Sequence, residues 1–422
     1  MRILHIAPRY SPAIGGAETH IAELSQRLVR DGHDVTVATT VAVGLDAFWS
    51  GNGRVLSPGS EMCDGVHVRR FPIQHFPSPS LAFPVARRLL WGLSRLHAPL
   101  DLLNRLAPYA PWTPALQQWL TTTADPFDLV AAFSVVFEAL CQPGLAFARR
   151  RGIPFMLTPF THLGAGRRPG GDGPSRFYTM RHQTDLVRRS TKVIAMTPTE
   201  QDYYVSAGVD AERIHVVGSG VTPQKILGGD GDAFRARFGL DHAIVVFLNA
   251  LAYDKGAMTT VAALERLWLT GEQVHLVMAG SMMAPFDQFL QRLPPSTRSR
   301  ILVLGNVDDV TKRDLLAACT MLVTPSRVDS FGIAFLEAWL YRKPVIGSTA
   351  WGMADVVSAG ADGLLTPFGD ADALAAAIAR LLHDPDLATH FGAAGEAKVH
   401  AQHTWERKYA MLAELYGAKG AG

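Results

Sequence analysis

No stretch constrains this chain more than Thr324–Gly347, which reads TPSRVDSFGIAFLEAWLYRKPVIG. A short apolar strand over Met321–Thr324 enters a polar turn, and the pattern predicts a helix from about Gly332 to Tyr341 and a new strand from Pro344. Strand, loop, helix and strand in that order build a parallel α/β sheet. Two acids frame the unit: Asp329 before the helix and Glu337 within it. Ile333 and Glu337 are four apart, so the carboxylate shares a face with apolar residues and needs partners to offset its lost hydration. The N–H groups of Ser330, Phe331, Gly332 and Ile333 open the helix and suit a phosphate. One ligand that carries both phosphates and hydroxyls is a nucleotide sugar.

Taken alone, the acids read as a surface glutamate and an N-terminal helix acid favoured by the dipole. Their neighbours argue otherwise. Pro325-Ser326-Arg327, Asp329, Ser330-Phe331-Gly332, Leu336-Glu337-Ala338 and Lys343 to Gly347 resemble the nucleotide-sugar signature of the retaining GT-B glycosyltransferases of family four, the group 1 type. That resemblance implies that Glu337 holds the ribose hydroxyls and Asp329 the donor sugar. The family usually has glutamate where this chain has the shorter Asp329.

The rest of the composition fits a packed globular protein. The chain has 422 residues, enough for two domains, of which 48% are hydrophobic and 18% charged. A formal charge of +2 gives no reason to expect a nucleic-acid partner. Cys63, Cys141 and Cys319 lack disulfide or metal spacing, so no metal is expected and a reducing cytoplasm fits. No apolar run is long enough for a spanning helix or a signal peptide.

At the N-terminus, RILHIAP reads as a buried strand, followed by Gly15-Gly16 and a helix with Ile21, Leu24 and Leu28 on one face. Glycines at a helix start let backbone approach a ligand, but the G-x-G-x-x-G spacing of dinucleotide folds is absent. The Gly-Gly-Ala-Glu-x-His run resembles the same family, which implies that Gly15 and Gly16 lie beside the donor phosphate and acceptor. His162 follows a strand over 154–158, at the strand end where α/β folds place ligands. The resemblance gives it a contact with the donor sugar, and the glycine-rich loop 164–174 reads as mobile. Lys255-Gly256, after the strand AIVVFLN, matches the family's phosphate lysine. The family's companion arginine is missing, with Ala250 and Leu251 in its place, and Arg327 is the candidate replacement. Asn306 and Val307 correspond to a loop that reads the nucleobase through backbone groups.

Residues 81–120 are rich in Leu, Trp, Pro and Arg. Leu89, Leu93 and Leu96 with Arg87, Arg88 and Arg95 suit an amphipathic membrane-surface helix, a peripheral contact with a lipid-borne acceptor. The prolines favour a helix packed on its own domain instead.

The resemblance implies two Rossmann-like domains facing a central cleft, the GT-B architecture. An N-terminal domain would span 1–209 and a nucleotide-sugar domain 210–395, with a terminal helix, 396–422, crossing back. The expected activity is retaining, metal-independent and cofactor-free transfer of a hexosyl group from a UDP- or GDP-linked sugar. The acceptor would be a glycan, glycolipid or small molecule, and the place the cytoplasm, at the inner membrane face if peripheral contact is made. A nucleotide-sugar epimerase of the same architecture and a non-catalytic nucleotide-sugar-binding subunit are the alternatives.

Overall fold

The computed structural model describes residues 1–51 and 53–418. The chain divides into two compact units. The first holds residues 1–161, 173–218 and 409–422, and the second holds 162–172 and 219–408. The loop 162–172, which chain order places in the first half, therefore packs with the second unit. The closing helix is Trp405–Tyr416, separate from a continuous helix over Pro385–Gln402, and from Tyr409 onward it belongs to the first unit. There Lys192 donates to the Leu415 carbonyl at 2.7 Å, and Tyr416 meets the His5 ring edge-on.

The first unit is built on β1 (Arg2–Ile6), β2 (Asp34–Thr40), β3 (Gly59–Cys63), β4 (Val66–Phe71), β5 (Leu129–Phe133), β6 (Phe155–Thr158), β7 (Lys192–Ala195) and β8 (Ile214–Val216). They lie in the order β3-β4-β2-β1-β5-β6-β7-β8. All neighbours are parallel except the β3–β4 hairpin, which sequence reading missed. Ile3 stands between Val35 and Leu129, and every residue of β5 is buried. Burial on both faces is why these strands read as continuous apolar runs rather than alternating ones.

A charged network lies inside this unit. Glu138 opens the helix Glu138–Arg151 with no exposed side-chain surface, and accepts from Arg87, from His182 Nε2 at 3.1 Å and from Gln183 Nε2 at 3.1 Å. Burial pushes the Glu138 carboxyl up, but Arg87 and His182 outweigh it and hold it below the usual carboxylate range. Arg87 also donates to the Phe177 carbonyl at 3.0 Å, so it fastens the helix Pro79–Arg95 to the domain body.

The second unit contains β9 (Ala243–Leu248), β10 (Val274–Ala279), β11 (Ile301–Gly305), β12 (Met321–Val323), β13 (Val345–Ser348) and β14 (Gly363–Thr366), all parallel, in the order β11-β10-β9-β12-β13-β14. The chain steps outward from β9 through β10 to β11, then returns to the other side of β9 as β12. That reversal opens a crevice at the carboxyl ends of β9 and β12, where such sheets bind ligands. Among the described residues, no helix is long and apolar enough to cross a membrane.

Removing Arg87 while Glu138 stays buried should be costly. Arg87→Met is expected to lower the unfolding free energy by about 3–5 kcal/mol, with partial recovery in Arg87→Met/Glu138→Gln. The native pair is stabilising above the ordinary glutamate pKa, and its contribution fades as pH falls through the lowered one. Urea titrations of the three proteins would show this; a loss below about 1 kcal/mol in the single variant would mean that the network carries little stability.

Candidate active site

The loop after β9 and the loop after β12 meet at the crevice of the second unit. Their approach is close: a Cβ added to Gly256, at φ +85°, would lie 2.6 Å from the Pro325 carbonyl oxygen. Glycine at 256 thus permits both the left-handed turn and the contact. It also sets the ammonium of Lys255 against the second loop. Lys255 donates to Asp329 Oδ1 at 2.6 Å and to the Val328 carbonyl at 3.0 Å. The other oxygen of Asp329 accepts from Asn249 Nδ2 at 3.1 Å.

Burial raises the Asp329 carboxyl, but the charge and hydrogen bond of Lys255, with Ser326, bring it below its ordinary range. His162 lies within the field of both groups. Desolvation, reinforced by Lys255 and only partly opposed by Asp329, holds its imidazole well below the ordinary range and therefore neutral at pH 7. The loop that carries it is tied down: Trp351 donates its indole N–H to Gly166 at 2.8 Å and its backbone N–H to Gly164 at 2.9 Å. Asp172 accepts from the Ala165 amide across the base of the same loop. A segment rich in glycine reads as mobile, yet these bonds anchor it to the second unit.

The helix after β12 runs Ile333–Leu340, with Gly332 as its left-handed N-cap at φ 87°. Among the described residues, the N–H groups of Ser330, Phe331, Gly332 and Ile333 find no acceptor in the protein. Phe331 is buried and meets the ring of His403. Glu337 is buried in the helix, and its Oε1 accepts from Lys312 at 2.8 Å. Burial disfavours the charge of Lys312, yet Glu337 outweighs that and raises its pKa. Glu337 Oε2 makes no hydrogen bond among the described residues.

Arg327 departs from the expected role of a free second cation. Its guanidinium donates to Asp254 Oδ1 at 2.9 and 2.6 Å and lies over the rings of Phe368 and Tyr253 at 4.7 and 5.4 Å. Asn306 and Val307 follow β11 at the same carboxyl edge of the sheet, ahead of the helix that Asp308 caps. Gly15 and Gly16 belong to the first unit, at the start of the helix Gly16–Arg30 after β1. A Cβ at Gly15 would strike the Glu18 carboxylate, which is paired with Arg9 at 2.7 Å. Among the described residues, no three His, Cys, Asp or Glu side chains gather as a metal ion would require.

Sequence reasoning missed Asn249 and Lys312. Asn249 had a signal, because it is the first residue beyond β9 at the sheet's point of reversal. Lys312 had none, since a lysine on a polar helix looks the same whether or not it meets a buried glutamate.

Because His162 is held neutral, its ring signals in a proton NMR titration should stay flat between about pH 5 and 8. A midpoint near 6.5 would show that the imidazole is solvated and apart from Lys255.

Comparison with known proteins agrees with this geometry. Residues 15–220 match the family model described as glycosyl transferase 4-like domain, and residues 232–398 match glycosyl transferases group 1. A glycogen synthase of Mycobacterium tuberculosis is 26% identical over an alignment covering 100% of this chain and 96% of its own. A D-inositol 3-phosphate glycosyltransferase 1 of Catenulispora acidiphila is 25% identical, over 95% and 90% of the two chains. Among solved structures, Anabaena HepE in complex with UDP and glucose superposes with a TM-score of 0.73 at 21% identity, covering 99% of this chain and 100% of that one. The two family models between them take in most of the chain, both parallel-sheet units included, and the protein belongs to the group 1 glycosyltransferases of GT-B architecture.

Proposed function

We propose that this glycosyltransferase moves a hexosyl group from a UDP- or GDP-linked sugar to an acceptor hydroxyl of a glycan, glycolipid or small molecule. The transfer retains the anomeric configuration and needs no divalent ion or other cofactor. The observation that carries this reading is the array at the carboxyl ends of β9 and β12. It gathers the cationic Lys255 and, among the described residues, four amides without acceptors and a buried carboxylate with one unused oxygen. Anabaena HepE, of the same fold, has been solved with UDP-glucose, which is consistent with a nucleotide-sugar donor here.

In this reading Glu337 accepts hydrogen bonds from the ribose hydroxyls through Oε2. The amides of Ser330 to Ile333 receive the phosphates at the positive pole of their helix. When the bond from the anomeric carbon to phosphate breaks, negative charge grows on the departing diphosphate. Lys255 and the amides stabilise it in place, the work a metal ion does in other transferases. Asp329, fixed by Lys255 and Asn249, holds hydroxyls of the donor sugar. His162, being neutral, serves as a hydrogen-bonding group beside the sugar rather than as a cation. Arg327 adds positive charge only if the diphosphate draws it from Asp254. Asn306 and Val307 offer backbone groups to the base.

The test is thermal stability with UDP, GDP, ADP and their common sugar conjugates. The matching nucleotide at about one hundred times its Kd should stabilise the wild type by about 2.7 kcal/mol. Glu337→Ala should weaken binding by roughly tenfold to a hundredfold through loss of charged hydrogen bonds. Once a donor is found, turnover should survive a chelator, and NMR of the first-formed product should show the donor's anomeric configuration. A protein that no nucleotide stabilises would sink the reading.

A further inference from the structure

The helix Pro79–Arg95 has two apolar faces, and the domain uses only one of them. On the inner side Leu90 is buried with Leu103 and Met180, Trp91 and Leu93 pack against them, and Arg87 is bound to Glu138. That side is the packed helix that the prolines favour. Packing does not account for the other side. Leu81, Val85 and Leu89, four apart, and Leu96 at the C-cap are 65%, 51%, 55% and 81% exposed. At 3.6 residues per turn they fall, with Gly92, within an arc of about 80°.

The borders of that stripe differ in chemistry. Arg88 and Arg95, both exposed, run along one side, about 20–40° beyond the aliphatic residues. On the other side Ala82 and Ala86 line a narrow cleft with Phe76, Tyr109 and Trp112. Phe76 stacks on Trp112 at 5.4 Å, while Phe76 and Tyr109 stay 41% and 46% exposed. The helix carries no acid, and Asp101 is the one carboxylate between residues 79 and 112.

An outward stripe of large aliphatics is costly in water and calls for a cover. Its rim selects what that cover is. Arginines with no acids among them suit a negatively charged surface, and long arginine stems keep their heads in the polar layer while the aliphatic stripe goes deeper. Aromatic rings with one polar end favour the same boundary. We propose that this face of the first unit docks on an anionic lipid bilayer, with the helix lying in the headgroup plane. The residues that do so are Leu81, Val85, Leu89 and Leu96 with Arg88 and Arg95. Arg87 and Leu93, which a helical reading of the sequence groups with them, face the protein.

The full-length protein should co-sediment with vesicles of phosphatidylcholine containing about one-third phosphatidylglycerol, and much less with phosphatidylcholine alone. Arg88→Gln/Arg95→Gln should cut the partition coefficient roughly tenfold or more and flatten its salt dependence. Val85→Ser/Leu89→Ser should cut it on the order of tenfold at any salt concentration. Both variants change exposed side chains, so melting temperature and nucleotide binding should match the wild type; the readout requires no transferase activity. Failure to sediment with anionic vesicles, or equal sedimentation of all three proteins, overturns the proposal. So does a dimer that Val85→Ser/Leu89→Ser dissolves without any vesicle binding, which would put a second copy of the chain on this face.

Discussion

A parallel strand cannot be joined to its neighbour by a tight turn, because the chain must first travel back along the sheet. Every crossover therefore leaves a strand at its carboxyl end, and the loops of the second unit collect along one edge. The order β11-β10-β9-β12-β13-β14 then decides which of them can share a ligand. The strand order reverses between β9 and β12, so the loops that follow these two strands face each other across the crevice at the point of reversal. Lys255 and Asp329 come from these two loops, and their ion pair bridges 74 positions of sequence. Glycine at 256 and 280 is required by the same crowding: at 280 a Cβ would collide with the Asn249 carbonyl.

Much of this edge was legible in the amino-acid sequence because its signals are local. The runs that became β9 and β12 are apolar on both faces, and the helix predicted from Gly332 to Tyr341 is Ile333–Leu340. Glycine at 332 marked the cap, and the acid at 337 stood out in an otherwise apolar helix. What escaped were pairings between distant segments. Neither the bond from Asn249 to Asp329 nor that from Lys312 to Glu337 has a local signature. Arg327 looked available because its partner, Asp254, is remote in sequence. Arg87 and Arg88 are adjacent in sequence and similar in character, but one is buried against Glu138 and the other faces water. One residue step, about 100° around the helix, separates those fates, and the difference is set by residues near 138 and 182.

The two units handle charge differently for a physical reason. In the first, Glu138 is sealed from solvent, so its three partners must satisfy it permanently, and the network works as a fastening. In the second, the acids keep some solvent access and leave acceptor capacity unused. The side chains of Asp329 and Lys255 are 18% and 19% exposed, and those of Glu337 and Lys312 are 11% and 24%. Partial satisfaction of this kind leaves a site able to take up hydroxyl groups without dismantling the fold.

Lys255, Arg327 and Lys312 are each matched with one carboxylate, at 2.6, 2.6 and 2.8 Å. Three such couples largely cancel one another's charge at a distance, which leaves the amides of Ser330 to Ile333 as the uncancelled positive pole. Free phosphate, polyphosphate and other small anions that crowd a cell then meet the amide dipoles of Ser330 to Ile333 but find these three bases already paired. On the proposed reading, entry favours a molecule that can exchange contacts one by one, offering hydroxyls to the acids while its phosphates meet Lys255 and the amides. Internal pairing in this way weakens the pull on bare anions, in a site whose lysines and arginine would otherwise attract all of them.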